Sequence, residues 1–398
     1  MKRHVVIVGG SLTGNKGAAS MVLAVLDGLR REEPDTDVTV MTPLAAEDRG
    51  AAEREGVTLL PFGPTEIVLA VIGAVLCRLT FGRVAMGPVR ALRTADAVAD
   101  VSGISFVDGR GVATLAYNVL LVLPALLLGR PVVKISQAMG PFEQSATRSA
   151  ARLILPRLTG LLARGRGTLE HLEELGVRND GLAADVAFLM QTTPDDDDWA
   201  AAEVDRPFVA IAPSQVVADQ AKRIRLDYVG HIIEIVDELS TDHDVVLIAH
   251  SARPGRPAGR LNDIPLCEEI LARTATPERC RMASPTATPR QLRALIGRSD
   301  ILVASRFHAM ISALATCTPV LVVGWSHKYR EVLAEFGLEE LASDFRELDA
   351  AGTAARARKL LDRRAAVSEQ TCTALPTVLD SARHNLDVLQ HPPLRSDR

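Results

Sequence analysis

Residues 299–328 read SDILVASRFHAMISALATCTPVLVVGWSHK and predict a strand, a charged turn, a helix and a second strand. The apolar run 301–303 is typical of a buried parallel strand, and the small apolar residues of 309–315 suit a helix that packs on a sheet. The next apolar run, 320–323, predicts the second strand. This strand–helix–strand unit indicates a parallel α/β sheet.

The two turns of this unit carry its chemistry. Ser305 is placed to cap the helix, and Arg306 and His308 follow in its first turn. A helix N-terminus attracts anions, a guanidinium binds them with two hydrogen bonds, and an imidazole titrates near neutral pH. The second turn ends at Lys328, and both turns should lie at the carboxyl edge of the sheet, where such folds bind ligands. An ordinary capping or surface role for His308 is the alternative.

Apolar runs and helical segments alternate along the rest of the chain, which predicts two doubly wound parallel sheets. The composition breaks at QTTPDDDDWAAAEVDRP, and we interpret its aspartates as a solvated hinge and not a metal site. A cleft between the two halves is the expected place for an active site. The predicted organisation is an N-terminal domain 1–190, a linker 191–207, a C-terminal domain 208–345, helices 346–390 and a tail 391–398.

The first predicted strand, 4–8, ends in a glycine loop, GGSLTGNKG, at 9–17. Its glycine spacing does not fit the dinucleotide fingerprint, and Lys16 is followed by Gly17 where a P-loop requires Ser or Thr. NAD and P-loop chemistry are therefore disfavoured. Backbone amides of the loop and Lys16 are suited to hold a polar substrate, and a plain strand-to-helix turn is the alternative.

Composition excludes several classes. The 398 residues carry a net charge of −4 and no basic stripe interleaved with aromatic residues, which argues against nucleic acid as a partner. The five cysteines are scattered without a CxxC pair, a pattern that favours a reducing compartment over a disulfide framework or a zinc site. We expect a cytoplasmic protein with neither metal nor cofactor.

Two apolar stretches, 67–77 and 112–128, raise the question of a membrane. The first is too short to span a bilayer, and the second contains Asn118 and Pro124, so a buried helix is the better interpretation. Peripheral contact of the first stretch with anionic headgroups at the inner face of the membrane is an open alternative. Its neighbouring cations would be Arg78, Arg83, Arg90 and Arg93.

A small-residue loop, SGISFVDG at 102–109, follows the predicted strand 97–101. Asp108 in this loop is a candidate acid, base or sugar ligand. An aspartate before a glycine is equally typical of a turn.

Seven short motifs together resemble those of the polysaccharide pyruvyl transferases, and the resemblance covers nearly the whole chain. In chain order they are Gly14-Asn15-Lys16-Gly17, SGISF before Asp108, Gln137 with Gly140-Pro141, Arg164 before Thr168, His250-Ser251, Arg306-Phe307-His308, and Pro319-Val320 leading to Lys328. The sequence departs from many members at Ala18, Ala19 and Ser20 and at Gly165, where an acidic residue is usual.

The resemblance implies two facing Rossmann-like domains of the GT-B-like class and transfer of the enolpyruvyl group of phosphoenolpyruvate onto sugar hydroxyls as a pyruvate ketal. On the family's pattern, Arg306 and His308 would be donor-site residues, with Arg164 and Lys328 as helpers. The chemistry of the residues adds His308 as the candidate proton donor and Asp108 as a second catalytic candidate. We predict donor binding by Arg306, Lys328, Arg164 and Ser305, and acceptor binding by Asn15, Lys16, Gln137 and His250.

The residues themselves agree with that chemistry. Phosphoenolpyruvate carries a carboxylate and a phosphate, so its site needs cations at different points, and protonation of its methylene carbon needs a group that titrates near neutrality. Two alternatives stay open. One is a GT-B glycosyltransferase that uses a nucleotide sugar, with Glu331 on the ribose, and the other is a non-catalytic glycan-binding relative. The expected partners are phosphoenolpyruvate and a saccharide or lipid-linked saccharide.

Overall fold

The computed structural model describes residues 2–80, 87–204, 207–257, 259, 261–324, 328–347 and 349–392. The chain forms two compact units, each built on its own six-stranded parallel sheet. The first unit comprises Met1–Thr13, Met21–Met190 and Leu379–Arg398, and the second comprises Gly14–Ser20 and Gln191–Val378.

The first sheet has the strand order β3-β2-β1-β4-β5-β6. Its strands are β1 His4–Val8, β2 Asp37–Thr42, β3 Thr58–Pro61, β4 Ala97–Asp100, β5 Val132–Gln137 and β6 Gly160–Ala163. The accompanying helices are α1 Lys16–Glu32, α2 Ala45–Arg54, α3 Pro64–Leu79, α4 Gly87–Thr94, α5 Val112–Leu127, α6 Ser145–Ile154 and α7 Arg166–Leu175.

The second sheet has the order β12-β11-β10-β7-β8-β9. Its strands are β7 Phe208–Ala212, β8 Asp244–Leu247, β9 Cys280–Met282, β10 Ile301–Ala304, β11 Val320–Gly324 and β12 Ala342–Asp344. The remaining helices are α8 Pro194–Glu203, α9 Gln215–Arg223, α10 Tyr228–Leu239, α11 Ile264–Arg273, α12 Pro289–Arg298, α13 Phe307–Ala315, α14 Lys328–Ala334, α15 Ala350–Asp362 and α16 Arg364–Gln390.

Both sheets are doubly wound with central strands that are buried on both faces. Val5 pairs with Val38 on one side of β1 and with Ala97 on the other, and all residues of β10 are buried. Continuous apolar strands of this kind are stable only when helices cover both faces of the sheet. The predicted α/β class is confirmed.

The strand order reverses between β1 and β4 in the first unit and between β7 and β10 in the second. At such a switch point the loops after the two neighbouring strands leave in opposite directions, and the gap between them is the usual ligand site of an open α/β sheet. The predicted motif of residues 299–328 includes β10, and its first turn leaves the end of that strand on one side of the second switch point.

The predicted linker is not a solvated hinge. Thr193 and Asp196 form a reciprocal capping box at the start of α8, with Thr193 N donating to Asp196 Oδ2 over 2.9 Å. Ala200 of α8 is fully buried, and α8 packs against α12. Aspartates in the first turn favour the helix dipole, so the acidic run starts a helix of the second unit.

The C-terminal region also differs from the prediction. The last turns of α16 belong to the first unit, where Leu386 is buried against Gly28 of α1 and Asn385 Nδ2 donates to the Ala184 carbonyl over 3.0 Å. The predicted tail lies largely outside the described residues. The chain returns to its first unit because α16 completes that unit's core.

Cys317 and Cys372 form a disulfide within the second unit, with Cα atoms 5.3 Å apart. The expectation of a chain without disulfides is therefore wrong for this pair, whose sequence separation of 55 residues carries no recognisable spacing motif. The free thiols of Cys77, Cys267 and Cys280 are buried.

Neither apolar stretch makes a helix that is long and apolar enough to cross a bilayer, as far as the described residues extend. The stretch 67–77 lies in α3 and the stretch 112–128 in α5, whose inner face is buried through Asn118, Leu121 and Val122. Arg83, predicted as a cation near headgroups, lies outside the described residues.

Candidate functional site

The candidate site lies at the carboxyl ends of β7 and β10 in the second unit. Ser305 N donates to the Ala212 carbonyl over 2.9 Å and so joins the two strand ends. The hydroxyl of the buried Tyr228 donates to Ser305 Oγ over 2.9 Å and accepts from Ser214 N over 3.1 Å. Burial raises the pKa of Tyr228, which keeps this hydroxyl protonated and able to donate.

The hydrogen bond from Tyr228 shows that the prediction of Ser305 as the cap of α13 is wrong. Arg306, and not Ser305, is the N-cap residue of α13, and no side chain caps the helix. The Ser305 hydroxyl is instead the acceptor of Tyr228 and is buried. Ser305 therefore holds the turn in place through its contacts with Tyr228 and Ala212, and its side chain does not cap the N-terminus of α13.

Arg306 is held by a bidentate ion pair with Asp263, which precedes α11. Its Nε donates to Asp263 Oδ2 over 2.8 Å, and its Nη2 donates to Asp263 Oδ1. The carboxylate is fully buried and the arginine side chain is 14% exposed. A fork-to-fork pair of this kind fixes the direction of the guanidinium and balances part of its charge.

The carboxylate of Asp263 also accepts hydrogen bonds from backbone amides in two other segments. Its Oδ2 accepts from Ser251 N over 3.0 Å, and its Oδ1 accepts from Gln215 N at the start of α9 over 2.9 Å. Sequence reasoning missed this residue, because an aspartate before a predicted helix is usually a cap. The sequence did offer one signal: Asp263 lies after the strand β8, and so near the same edge of the sheet as Arg306, which it could pair with.

The glycine loop near the N-terminus is part of this site. Residues 14–16 pair with 250–252 after β8: Ala252 N donates to the Gly14 carbonyl over 2.9 Å, and Lys16 N to the His250 carbonyl over 3.3 Å. Asn15 Oδ1 accepts from Gly17 N over 3.1 Å and so caps the start of α1. Asn15, Lys16 and His250 were predicted on the acceptor side, whereas all three belong to the second unit together with Arg306 and His308.

Gly17 leaves space for the imidazole of His308. A Cβ placed on residue 17 would lie only 2.3 Å from His308 Nδ1, far inside contact distance. Any larger residue would displace the ring or the loop. The requirement for glycine at this position is therefore steric and comes from His308.

An aromatic cluster supports the other side of the first turn of α13. The ring of Phe307 meets the His308 ring edge to face, with centroids 5.2 Å apart, and meets Tyr329 in the same way at 5.5 Å. Lys328 Nζ lies 4.8 Å from the centroid of Phe307. Tyr329 donates its hydroxyl to the Ser305 carbonyl over 3.1 Å. Lys328 is thereby tied to the same turn by a cation–π contact.

Positive charges are concentrated at this site, which suits it to an anionic ligand. Burial lowers the pKa of His250 well below its usual value, and the charges of His308, Arg306, Lys16 and Arg293 lower it further. His250 is thus neutral at pH 7 and cannot add to the positive charge. Arg293 on α12, which is almost fully buried, is a member of the cluster that sequence reasoning missed.

Lys16 is the unusual cation of the cluster. It is 6% exposed, and burial lowers its pKa to about 8. In the described part of the chain its Nζ has neither a hydrogen-bond acceptor nor a carboxylate partner. An ammonium group that is buried in this way gains most from an anionic ligand, because the ligand replaces the water it has lost.

Two predicted residues belong to the first unit. Gln137 is fully buried at the end of β5, where it accepts from Ser105 Oγ over 2.7 Å and donates to the Asp100 carbonyl over 2.7 Å. Arg164 is paired with the buried Asp185, Nη1 to Oδ2, over 2.5 Å. Both side chains have structural partners at the carboxyl edge of the first sheet.

Asp108, predicted as a catalytic acid or base, serves the start of α6. Its Oδ2 accepts from Glu143 N over 2.6 Å and from Gln144 N over 3.2 Å. Burial acts to raise its pKa, but the hydrogen bonds from Thr147, Gln144 and Glu143 and the charge of Arg148 together lower it. A carboxylate held in this state is suited to stabilise a helix N-terminus and poorly suited to donate a proton.

The family model of the polysaccharide pyruvyl transferases matches residues 15–327. The chain belongs to this family. The match begins at Asn15, in the glycine loop that pairs with His250, and extends past Arg306 and His308. Family membership makes the protein a transferase.

Known relatives agree with the family and with the fold. The amylovoran biosynthesis protein AmsJ of Erwinia amylovora is 22% identical over 93% of this chain and 95% of its own. UDP-GlcNAc 2-epimerase from Neisseria meningitidis, bound to UDP-GlcNAc, is 13% identical with a TM-score of 0.62, over 98% of this chain and 100% of that one. Anabaena Alr3699/HepE in complex with UDP-glucose is 12% identical with a TM-score of 0.59, over 98% and 100%. The structural likenesses confirm the GT-B-like fold class of this family member.

Removal of the Asp263 carboxylate tests its role as the anchor of the site. Asp263→Ala should lower the free energy of unfolding of the second unit by about 3–5 kcal/mol, because Arg306 loses its buried partner. The control is Asp244→Ala, which removes a partly exposed pair with Arg279 and should cost less than about 1 kcal/mol. Hydrogen exchange of the β7 and β10 amides measures both. Equal losses for the two variants would contradict the anchoring role.

Proposed function

We propose that this transferase moves the enolpyruvyl group of phosphoenolpyruvate onto hydroxyls of a saccharide, which leaves a pyruvate ketal and inorganic phosphate. The observation that carries the proposal is the cluster of Lys16, Arg306, Arg293 and His308 around the end of β10. The family supplies the reaction class, and the relative in amylovoran biosynthesis supports a polysaccharide or glycolipid precursor as acceptor.

Phosphoenolpyruvate fits this cluster by charge. Its carboxylate and its phosphate are separate anionic groups, so it can satisfy a guanidinium and an ammonium at the same time. Arg306 presents a fixed fork because Asp263 holds its other edge. Lys16 supplies a second, separate cation. The dipole at the N-terminus of α13 also favours a negative group such as a phosphate.

The reaction needs one proton at carbon. Protonation of the methylene carbon makes a methyl group and leaves an electron-deficient carbon next to the carboxylate. One sugar hydroxyl adds to that carbon and loses its proton, the bond to the phosphate oxygen breaks, and a second hydroxyl adds and loses its proton. One of the two hydroxyl protons balances the proton that was placed on carbon, and the other leaves with phosphate.

His308 is our candidate for the proton donor. Its ring is fixed between Phe307 and Gly17 in the first turn of α13, next to the fork of Arg306. The neighbouring His250 is kept neutral by its surroundings and is therefore not our candidate for the acid. Proton transfer from a positioned side chain contributes roughly a hundredfold to ten-thousandfold to a rate.

The first test is the affinity for phosphoenolpyruvate as a function of pH. Lys16 loses its charge as the pH rises through its pKa of about 8, so affinity should be near its maximum at pH 7 and about twofold lower at pH 8. Above pH 8 it should fall further, by at most about tenfold per unit. Lys16→Met should weaken binding roughly ten- to a hundredfold at pH 7 and should abolish this pH dependence. Isothermal titration calorimetry measures the dissociation constants.

The control for this test is Lys222→Met, which changes an exposed lysine on α9 of the same unit and should leave the affinity unchanged. UDP-glucose is the contrasting ligand and should not compete. Tight binding of UDP-glucose with no binding of phosphoenolpyruvate would favour the nucleotide-sugar alternative and refute the proposed donor.

The second test separates catalysis by His308 from a structural role. His308→Ala should reduce turnover by about a hundredfold or more and leave the affinity for phosphoenolpyruvate nearly intact, because a proton donor acts chiefly in the transition state. His231→Ala, at a similarly half-buried histidine of α10, is the control and should retain turnover. Phosphate release with a candidate saccharide acceptor is the assay. Unchanged turnover per folded molecule of His308→Ala would remove the catalytic assignment.

A further inference from the structure

Helix α3 of the first unit exposes a continuous apolar stripe. Its members recur three and four residues apart, which places them on one face of the helix, and each is between 43% and 71% exposed. They are Val68, Leu69, Ile72, Val75, Leu76 and Leu79.

The opposite face of α3 is the one that packs into the first unit. Ile67, Ala70, Ala74 and Cys77 are buried there. A surface helix of a soluble domain normally turns charged and polar residues outward, whereas α3 is apolar on both faces. Single exposed apolar residues are ordinary, but a contiguous patch marks a contact with another apolar phase.

The borders of the stripe are basic. Arg78 is exposed at one border, beside α5, where its Nη1 donates to the Leu127 carbonyl over 3.2 Å. At the other border α4 lies beside α3, and Val89 lies so close to Gly73 that an added Cβ would be 2.8 Å from its methyl carbon. Arg90 and Arg93 are exposed on α4.

Among the described residues of α3, none on the exposed stripe carries a carboxylate that could oppose these charges. Glu66 is the acidic residue of α3, and its side chain is turned back to accept from Gly63 N over 3.0 Å in the capping box. An apolar stripe with cations at both borders is complementary to a bilayer with anionic headgroups, since acyl chains cover the apolar residues and lipid phosphates meet the arginines.

We propose that α3 is a membrane-docking helix that lies in the interface of an anionic bilayer, with Arg78, Arg90 and Arg93 at headgroup level. The helix has 16 residues and is bordered by helices of the same unit, so it lies on the membrane and does not cross it. Docking does not depend on the donor chemistry. If the proposed function holds, docking also brings the enzyme to acceptors that are carried on membrane lipids.

Flotation with vesicles tests the proposal in the full-length protein. Wild type should float with vesicles of two parts phosphatidylcholine and one part phosphatidylglycerol at low salt, and 0.5 M NaCl should reduce the bound fraction. The Leu69→Gln/Ile72→Gln variant should bind at least tenfold more weakly. The Arg90→Ala/Arg93→Ala variant should lose about fivefold per arginine on anionic vesicles. Vesicles of phosphatidylcholine alone should bind little protein.

The matched control is Leu153→Gln/Ile224→Gln, which removes two comparably exposed apolar side chains outside α3 and should leave vesicle binding unchanged. Equal binding by the α3 variant and the control would overturn the proposal. So would a wild-type protein that stays unbound and sediments as a dimer which the α3 substitutions dissociate, because the stripe would then serve self-association. Neither readout uses enzyme activity, so failure here leaves the proposed donor chemistry standing.

Discussion

The site of the second unit depends on the buried carboxylate of Asp263. It holds the guanidinium of Arg306, the amide after β8 and the amide that starts α9, so one side chain joins three elements at the carboxyl edge of the sheet. A buried ion pair contributes little net stability compared with an apolar replacement, but removal of one partner is costly. The value of Asp263 is therefore geometric: it fixes the direction in which Arg306 meets a ligand.

With Arg306 balanced in part by Asp263, the charge available to a ligand depends on the remaining members of the cluster. His250 is neutral because it is buried among positive charges, and Lys16 keeps a proton with a pKa of only about 8. An anionic ligand would relieve the cost of the buried charge of Lys16 by pairing with it. Under the proposed function, Lys16 of the glycine loop would contribute to donor binding, whereas the sequence alone suggested a role toward the acceptor.

The local pattern of apolar residues along the sequence was sufficient to predict most of the fold and one turn of the site. The apolar runs of β10 and β11, the helix between them and the positions of Arg306 and His308 follow from short-range periodicity, which burial in a parallel sheet imposes. The partners of those residues could not be predicted from local pattern. Asp263 meets Arg306, and Lys16 meets His250, only because the folded chain brings distant segments together.

The predicted cap at Ser305 was wrong, because the hydroxyl of Ser305 instead accepts a hydrogen bond from Tyr228, 77 residues away in the sequence. The hinge predicted at 191–207 was wrong, because the aspartates 195–198 start α8, which packs against α12.

Under the proposed function, this cluster protonates phosphoenolpyruvate at carbon and passes the resulting group to a saccharide. The most direct measurement is mass spectrometry of the saccharide product formed from phosphoenolpyruvate in D2O. We expect a pyruvate ketal whose methyl group carries one solvent-derived deuterium, formed together with an equal amount of inorganic phosphate. A saccharide that gains no ketal from phosphoenolpyruvate but gains a hexose from UDP-glucose would contradict it.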